Sequence, residues 1–117
     1  MGTGNTALDV VPRSGHNIAR MRYEIELAPE AARDLKRLRS HVRVAVKEAL
    51  EMHLRHEPTK TSKSRIKRLR GVSKPQFRLR VDEVRVFYDV SGRTVEILAI
   101  VSKTDADAWL SEVGERR

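Results

Sequence analysis

From Tyr23 the chain alternates, with Tyr23, Ile25 and Leu27 apolar and Glu24 and Glu26 charged between them. A period of two predicts a strand with one face on a core and the other toward water. Ala28-Pro29-Glu30 then interrupts it. Proline at a first helical position gives up only an N–H that would have no partner there, and an acid beside it meets the positive end of the helix dipole. A short helix is expected, with Ala31, Leu35 and Leu38 as its apolar stripe. Ser40 has the side chain of an N-cap and opens a second helix. There Val42, Val46, Ala49, Leu50 and Leu54 recur at helical spacing while Arg43, Lys47 and Glu51 face water. Pro58 ends it, and the short link makes the pair a helical hairpin.

The second half alternates again. Phe77, Leu79 and Val81 enclose Arg78 and Arg80, so both arginines leave one face of a strand. A tight Asp82-Glu83 turn leads to Val84, Val86, Tyr88 and Val90 alternating with Arg85, Phe87 and Asp89. Asp89 to Gly92 is read as a second turn. Thr94 to Val101 is almost continuously apolar, the mark of a central strand covered on both faces. Asp105 to Val113 predicts a short terminal helix with Ala106, Trp109 and Leu110 inward. The fold class is therefore α+β: an N-terminal strand, a two-helix hairpin, a three-stranded antiparallel meander and a short C-terminal helix. The helices must cover one face of the sheet, since its apolar side has no other place to be buried. Arg78, Arg80 and Arg85 fall on the opposite face.

Residues 1–20 carry Gly2, Gly4, Pro12 and Gly15 with no apolar period, and Met21 directly precedes the first patterned segment. They are expected to form a disordered N-terminal extension, leaving 21–117 as a single domain. Charge adds more to this picture than size does. Twenty-four Lys and Arg against sixteen Asp and Glu give a formal charge of +8, which points to nucleic acid or an acidic partner. The absence of cysteine excludes a disulfide framework and thiolate chemistry. No run approaches the roughly 18 apolar residues of a membrane span, and the first twenty residues lack an apolar signal region. A cytoplasmic protein without a membrane partner is expected.

The positive charge is unevenly spread. Lys60, Lys63, Arg65, Lys67, Arg68, Arg70 and Lys74 follow one another between Thr59 and Lys74 without an intervening acid. Such a run reads either as a solvated loop or, beside the Arg78/Arg80 strand, as part of an RNA-binding surface. The histidines give no ligand pattern: His41, His53 and His56 lie on or beside the second helix without acidic partners at metal-binding spacing. Neither a metal nor another cofactor is expected. Tyr88 alternates with core residues and Trp109 lies on a helix, so packing roles are assigned to both.

Several segments together resemble the RelE/ParE toxin superfamily. Tyr23-Glu24-Ile25-Glu26-Leu27-Ala28-Pro29-Glu30-Ala31 is similar to its first strand and helix start. Leu69-Arg70-Gly71 resembles its leucine-basic-glycine element. Phe77-Arg78-Leu79-Arg80-Val81 with Val84-Arg85-Val86-Phe87-Tyr88 resembles its paired middle strands, and Val101-Ser102-Lys103 through Trp109-Leu110 its final strand and helix. The resemblance implies a toxin of a type II toxin–antitoxin system, held inactive by a cognate antitoxin laid over the basic surface. One branch cuts mRNA on the ribosome without metal; the other poisons DNA gyrase by binding and needs no nuclease chemistry.

For a nuclease, the resemblance puts Arg70, Arg78, Arg80 and Arg85 near the scissile phosphate. Guanidinium suits that task, because its planar donors match phosphate oxygens and stabilise a pentacoordinate phosphorane. With a pKa above about 12 it is a poor acceptor for the 2′-hydroxyl proton. Family nucleases tend to carry lysines on the first middle strand and a tyrosine near the C-terminus. Here Arg78, Arg80 and Trp109-Leu110 stand instead, which leaves Lys103, an ammonium crowded by arginines, as the proton-handling candidate. The expected catalytic set is Arg78, Arg80, Arg85 and Lys103.

Overall fold

The computed structural model describes residues 22–116; the expectation for residues 1–20 lies outside that range. Strand β1 (Glu24–Leu27) is followed by helix α1 (Pro29–Arg37) and helix α2 (Ser40–Ala49), which runs into a π-helical turn over Leu50–Leu54. Then come β2 (Ile66–Arg68), β3 (Val72–Lys74), β4 (Phe77–Val81), β5 (Val84–Ser91), β6 (Thr94–Ser102), α3 (Ala106–Val113) and β7 (Glu115–Arg116). The main sheet has the order β1-β6-β5-β4-β2, with β1 parallel to β6 and the other pairs antiparallel. Strands β3 and β7 pair as a separate ribbon.

The expected meander is the centre of this larger sheet. β1 lies on one edge and β2 on the other, so the basic stretch between Thr59 and Lys74 is not a plain loop. Its two strands are three residues long and mostly polar, and Ile66 is the single buried apolar anchor of β2. Pairing with β4 fixes β2, and such pairing leaves little trace in a short sequence window.

Two local expectations also shift. Ser40 is the first residue of α2 rather than its cap; Arg39 stands at the N-cap and makes no side-chain cap bond. Strand β5 runs through Asp89 and Val90 to Ser91, so the turn to β6 lies at Gly92-Arg93. Gly92 takes a φ of 59°, which glycine adopts at no steric cost. The Asp82-Glu83 turn is as expected, with Val81 opposite Val84 and Asp82 at a φ of 51°. Pro29 and Glu30 open α1 as read from the sequence.

The core lies between the helices and one sheet face. Ala31, Leu35, Val46, Leu50 and Leu54 pack on Phe77, Leu79, Val86, Tyr88, Val95 and Ile97. Tyr88 is fully buried, stacks on Phe77 at 5.4 Å, and donates its hydroxyl to the Pro58 carbonyl at 2.6 Å. Its phenol is held well above the ordinary tyrosine range by burial. Packing is the role it fills here. Where β1 stops, α1 continues along the edge of β6, and Asp34 accepts the Ile100 N–H at 2.9 Å. That bond satisfies a backbone donor the short edge strand leaves open.

Candidate nucleic-acid interface

Strand register fixes which cations share a face. Across the sheet Lys67 is opposite Arg78, and Arg78 opposite Phe87; one step along, Arg80 is opposite Arg85. Paired residues project to the same side of a sheet. Lys67, Arg78, Arg80 and Arg85 therefore form two neighbouring rows on the face away from α1 and α2. The Arg80 N–H donates to the Arg65 carbonyl at 2.8 Å, which carries the β2 side of the pairing one residue further.

This face is not bare. Helix α3 lies over it, and Trp109 stacks on the fully buried Phe87 at 4.7 Å between ring centroids. The indole N–H donates to Glu30 at 3.1 Å, tying α3 to the start of α1. Trp109 is thus a helix anchor, as read. Beyond α3 the same face turns acidic, with Asp89 opposite Glu96 and Glu96 opposite Glu26. Burial raises the Asp89 carboxyl above its ordinary range, against the Gln76 N–H and Lys74 that favour its charged form. A polyanion would meet cations on the β2 side of α3 and carboxylates on the β1 side.

Arg85 departs most from its expected setting. Only 8% of it is exposed. Its Nη1 donates to the carbonyls of Asp82 at 2.8 Å and Val84 at 3.0 Å, so the guanidinium braces the β4–β5 turn from within. Burial, with Arg80 and Arg78 beside it, lowers its pKa from the usual arginine value. Arg78 is half-buried and Arg80 exposed. Lys103 is exposed next to the same turn, where its N–H donates to the Glu83 carbonyl at 2.7 Å.

The remaining basic residues disperse. Arg68 lies over the Phe77 ring at 5.1 Å, toward the core side of the sheet edge. Lys74 pairs with Asp89 at 3.9 Å and Lys60 with Glu57 at 3.9 Å. Arg70 lines a cleft beside α3 together with Asp107. Lys63 is exposed. Arg65 turns away from the cationic rows, its Nη1 standing 2.8 Å from His53 Nε2.

That His53–Arg65 contact was not anticipated from the sequence, where His53 stood without a partner. It borders a cleft of about 490 Å3 between α2 and the β2–β4 edge, lined by Glu48, Met52, His53, Arg65, Arg80 and Asp82 among others. A signal was available in hindsight: the basic stretch follows a helix that ends in histidine and proline, so the chain must fold back past it. Among the described residues, no group of three or more His, Asp and Glu gathers in a way that could hold a metal. No described helix is long and apolar enough to cross a membrane.

The profile of the family described as ParE toxin of type II toxin-antitoxin system, parDE, matches residues 25–106. No curated protein matches the chain. Among solved structures, the toxin–antitoxin complex RelBE2 from Mycobacterium tuberculosis is similar at 28% identity and a TM-score of 0.57, covering 69% of this chain and 98% of that one. The archaeal RelE-RelB complex from Pyrococcus horikoshii is similar at 22% identity and a TM-score of 0.59, covering 71% and 97%. A mutant of the Escherichia coli toxin RelE in the free state is similar at 19% identity and a TM-score of 0.61, covering 80% and 99%. The last two likenesses speak to the fold alone.

Proposed function

The chain belongs to the ParE toxin family of type II toxin–antitoxin systems, within the RelE/ParE superfamily, and from that premise we propose that it is a metal-independent endoribonuclease that cuts mRNA on the ribosome. The observation that carries this reading is the pair of rows formed by Lys67, Arg78, Arg80 and Arg85 on one sheet face. In the proposed reaction the 2′-hydroxyl attacks the neighbouring phosphate, and the charge that grows on the phosphorane meets guanidinium donors. Arg78 and Arg80 touch the phosphate in this account, with Lys67 extending the contact along the strand. Arg85 keeps the turn rigid and adds its field from beneath.

A cognate antitoxin is the expected partner, in keeping with the RelBE2 toxin–antitoxin complex that the chain is similar to, and the same surface would receive it. An acidic or apolar antitoxin segment laid over the rows would exclude RNA. A cytoplasmic location follows from a ribosomal target.

A second reading, a non-nuclease toxin that inhibits DNA gyrase by binding, is favoured by one observation. Trp109 and Leu110 occupy the C-terminal helix where a titratable side chain would serve acid–base chemistry, and Trp109 is spent on packing against Phe87. Expression in growing cells, with mRNA cleavage and gyrase-linked DNA breaks read separately, decides between them. Cleavage at ribosome-bound mRNA without DNA breaks is the expected result; breaks without cleavage would replace it by the second reading.

A further inference from the structure

We propose that His53 is the general base of the cleavage reaction, held by Arg65 in the free protein and released when Arg65 turns to a bound phosphate. The inference rests on the ribonuclease reading and assigns the proton acceptor to His53 in place of Lys103, the candidate the sequence offered.

A guanidinium has donors and no acceptor, so the His53 nitrogen facing Arg65 Nη1 must carry a lone pair. His53 is therefore neutral, with its proton on Nδ1 and its basic site at Nε2. Partial burial and the neighbouring Arg65 charge both hold it below the ordinary imidazole range, in that order of size. An unprotonated imidazole at neutral pH is what a general base requires. Its surroundings are mixed in charge. Glu48 of α2 and Asp82 of the β4–β5 turn line the same cleft as Arg65 and Arg80. Glu57 and Lys60, paired with each other, stand at the adjoining one.

The local fold lets the Arg65 side chain move while its backbone stays. Ser62 Oγ accepts the N–H of Arg65 at 3.0 Å and of Ile66 at 3.3 Å, and the Arg65 carbonyl holds Arg80. The side chain itself is exposed and, among the described residues, makes one hydrogen bond, to His53. A phosphate bound at Arg80 offers it a charged acceptor in place of a neutral one, and charge-assisted bonds are roughly twice as strong. Once Arg65 has turned, Nε2 is open to the cleft. It takes the proton of the ribose 2′-hydroxyl as the 2′-oxygen bonds to phosphorus. The bond from phosphorus to the 5′-oxygen breaks, the 5′-oxygen takes a proton from water, and a 2′,3′-cyclic phosphate remains. His53 then returns its proton to solvent.

The test is single-turnover cleavage of mRNA on programmed ribosomes across pH, with the full chain and three variants. The parent rate should rise with pH up to the pKa of His53 in the RNA-bound state and then level off. His53→Gln, which can still accept from Arg65, should cleave about a hundredfold more slowly and lose the acid limb. Arg65→Met removes the cation that stands beside His53 in the free protein, so the titration of His53 read by NMR without RNA should move to higher pH, while the limb of cleavage on the ribosome stays where it is. His41→Gln, on the exposed start of α2, should behave as the parent does. Cleavage by His53→Gln within about threefold of the parent, with the limb intact, overturns the assignment and leaves the ribonuclease reading in place. A parent inert on ribosomes at every pH overturns both.

A measurement that does not need turnover guards against a misfolded variant. NMR titration of His53 in the parent should show its pKa rising when an RNA with a 2′-deoxy substitution at the cleaved position is bound, because a cation leaves and a phosphate arrives. A His53 titration unmoved by saturating RNA overturns the proposal.

Discussion

The two faces of the sheet answer to different demands. On the side of α1 and α2, Leu79, Val86, Tyr88, Val95 and Ile97 are fully buried and belong to one apolar cluster. On the other side Arg78, Arg80 and Arg85 alternate with Leu79, Val86 and Tyr88 along β4 and β5, and Lys67 stands opposite Arg78 on β2. The first face is satisfied within the molecule, because each side chain has neighbours that exclude water. The second is satisfied only in part, by α3 through Trp109 on Phe87, and leaves its cations without carboxylate partners while Asp89, Glu96 and Glu26 gather beyond the helix. Among the described ion pairs none involves Arg78, Arg80 or Arg85. A sheet that keeps its charges sorted in this way gives up local pairing, and a polyanionic partner is what makes such an arrangement useful.

Substitutions on the two faces should separate cleanly, and the largest effect belongs to the covered one. Leu79→Ala removes a fully buried side chain from the centre of β4. It should cost about 2–5 kcal/mol of stability, enough to lower the melting temperature of a domain this size by about eight degrees or more (roughly 4–8 °C per kcal/mol). RNA affinity of the protein that remains folded should stay close to the parent's. Thermal melts beside a binding assay below the transition check this; a loss of affinity with little loss of stability would break the contrast at its strongest point.

Arg85 straddles the two faces and should show it. Arg85→Ala leaves the Asp82 and Val84 carbonyls without their donor and opens space under the turn. A stability loss of about 1–3 kcal/mol is expected, together with slower cleavage as Arg80 loses its support. Arg85→Lys keeps the charge without the planar fork and should recover only part of either loss. Chemical denaturation and single-turnover rates on the same two proteins make the comparison. An alanine variant that slows cleavage while keeping the parent's stability would return Arg85 to the phosphate-contacting set.

How far the sequence carried this contrast can be judged from these residues. Phe77 to Val90 announced both faces, because a period of two sorts side chains without knowledge of their partners. Pro29, the Asp82-Glu83 turn and the buried run of β6 were legible for similar local reasons. The edges were not. β2 holds its place by pairing Lys67 with Arg78, and β1 by running parallel to β6, contacts made across eleven and seventy positions of chain respectively. The interface was half legible. Alternation put Arg78 and Arg80 on one side, but only tertiary packing showed that Arg85 is buried there, that Arg68 leans over Phe77 and Lys74 toward Asp89, or that His53 meets Arg65.

A smaller effect probes the covered face through pH. Tyr88→Phe removes the hydroxyl bound to the Pro58 carbonyl and should cost about 1 kcal/mol near neutrality. The phenol's folded pKa is raised by burial, so the unfolded chain loses this proton first as pH rises. The folded state then holds more protons, and the Tyr88 contribution, fully present below the unfolded value of about 10, shrinks as pH climbs above it. The gap between parent and Tyr88→Phe should accordingly narrow above that pH in denaturant titrations. A gap that stays constant to pH about 11.5 would mean the phenol ionises as readily in the fold as out of it.

The smallest change in stability should come from the open face, with its consequence displaced onto binding. Arg78→Met and Arg80→Met keep much of the aliphatic stem, and neither guanidinium is in a described ion pair. Each is expected to alter stability by less than about 0.5 kcal/mol. Each should also reduce the salt dependence of single-stranded RNA binding by about 0.7 in the log–log slope, because one fewer phosphate contact releases one fewer condensed ion. With Lys67, Arg78, Arg80 and a turned Arg65 as the contacts, the parent slope should lie near −2.8, from about 0.7 per phosphate. Lys74→Met and Arg68→Met are the informative controls. Both residues come from the basic stretch, yet one is paired with Asp89 and the other lies over Phe77. If charge alone governed binding, all four variants would flatten the slope equally. If the sorted face governs it, Arg78→Met and Arg80→Met should flatten it while Lys74→Met and Arg68→Met leave it near the parent's. Affinity measured from low to high salt for the parent and four variants separates the outcomes, and equal flattening would mean that the basic stretch acts as a diffuse cloud rather than a built surface.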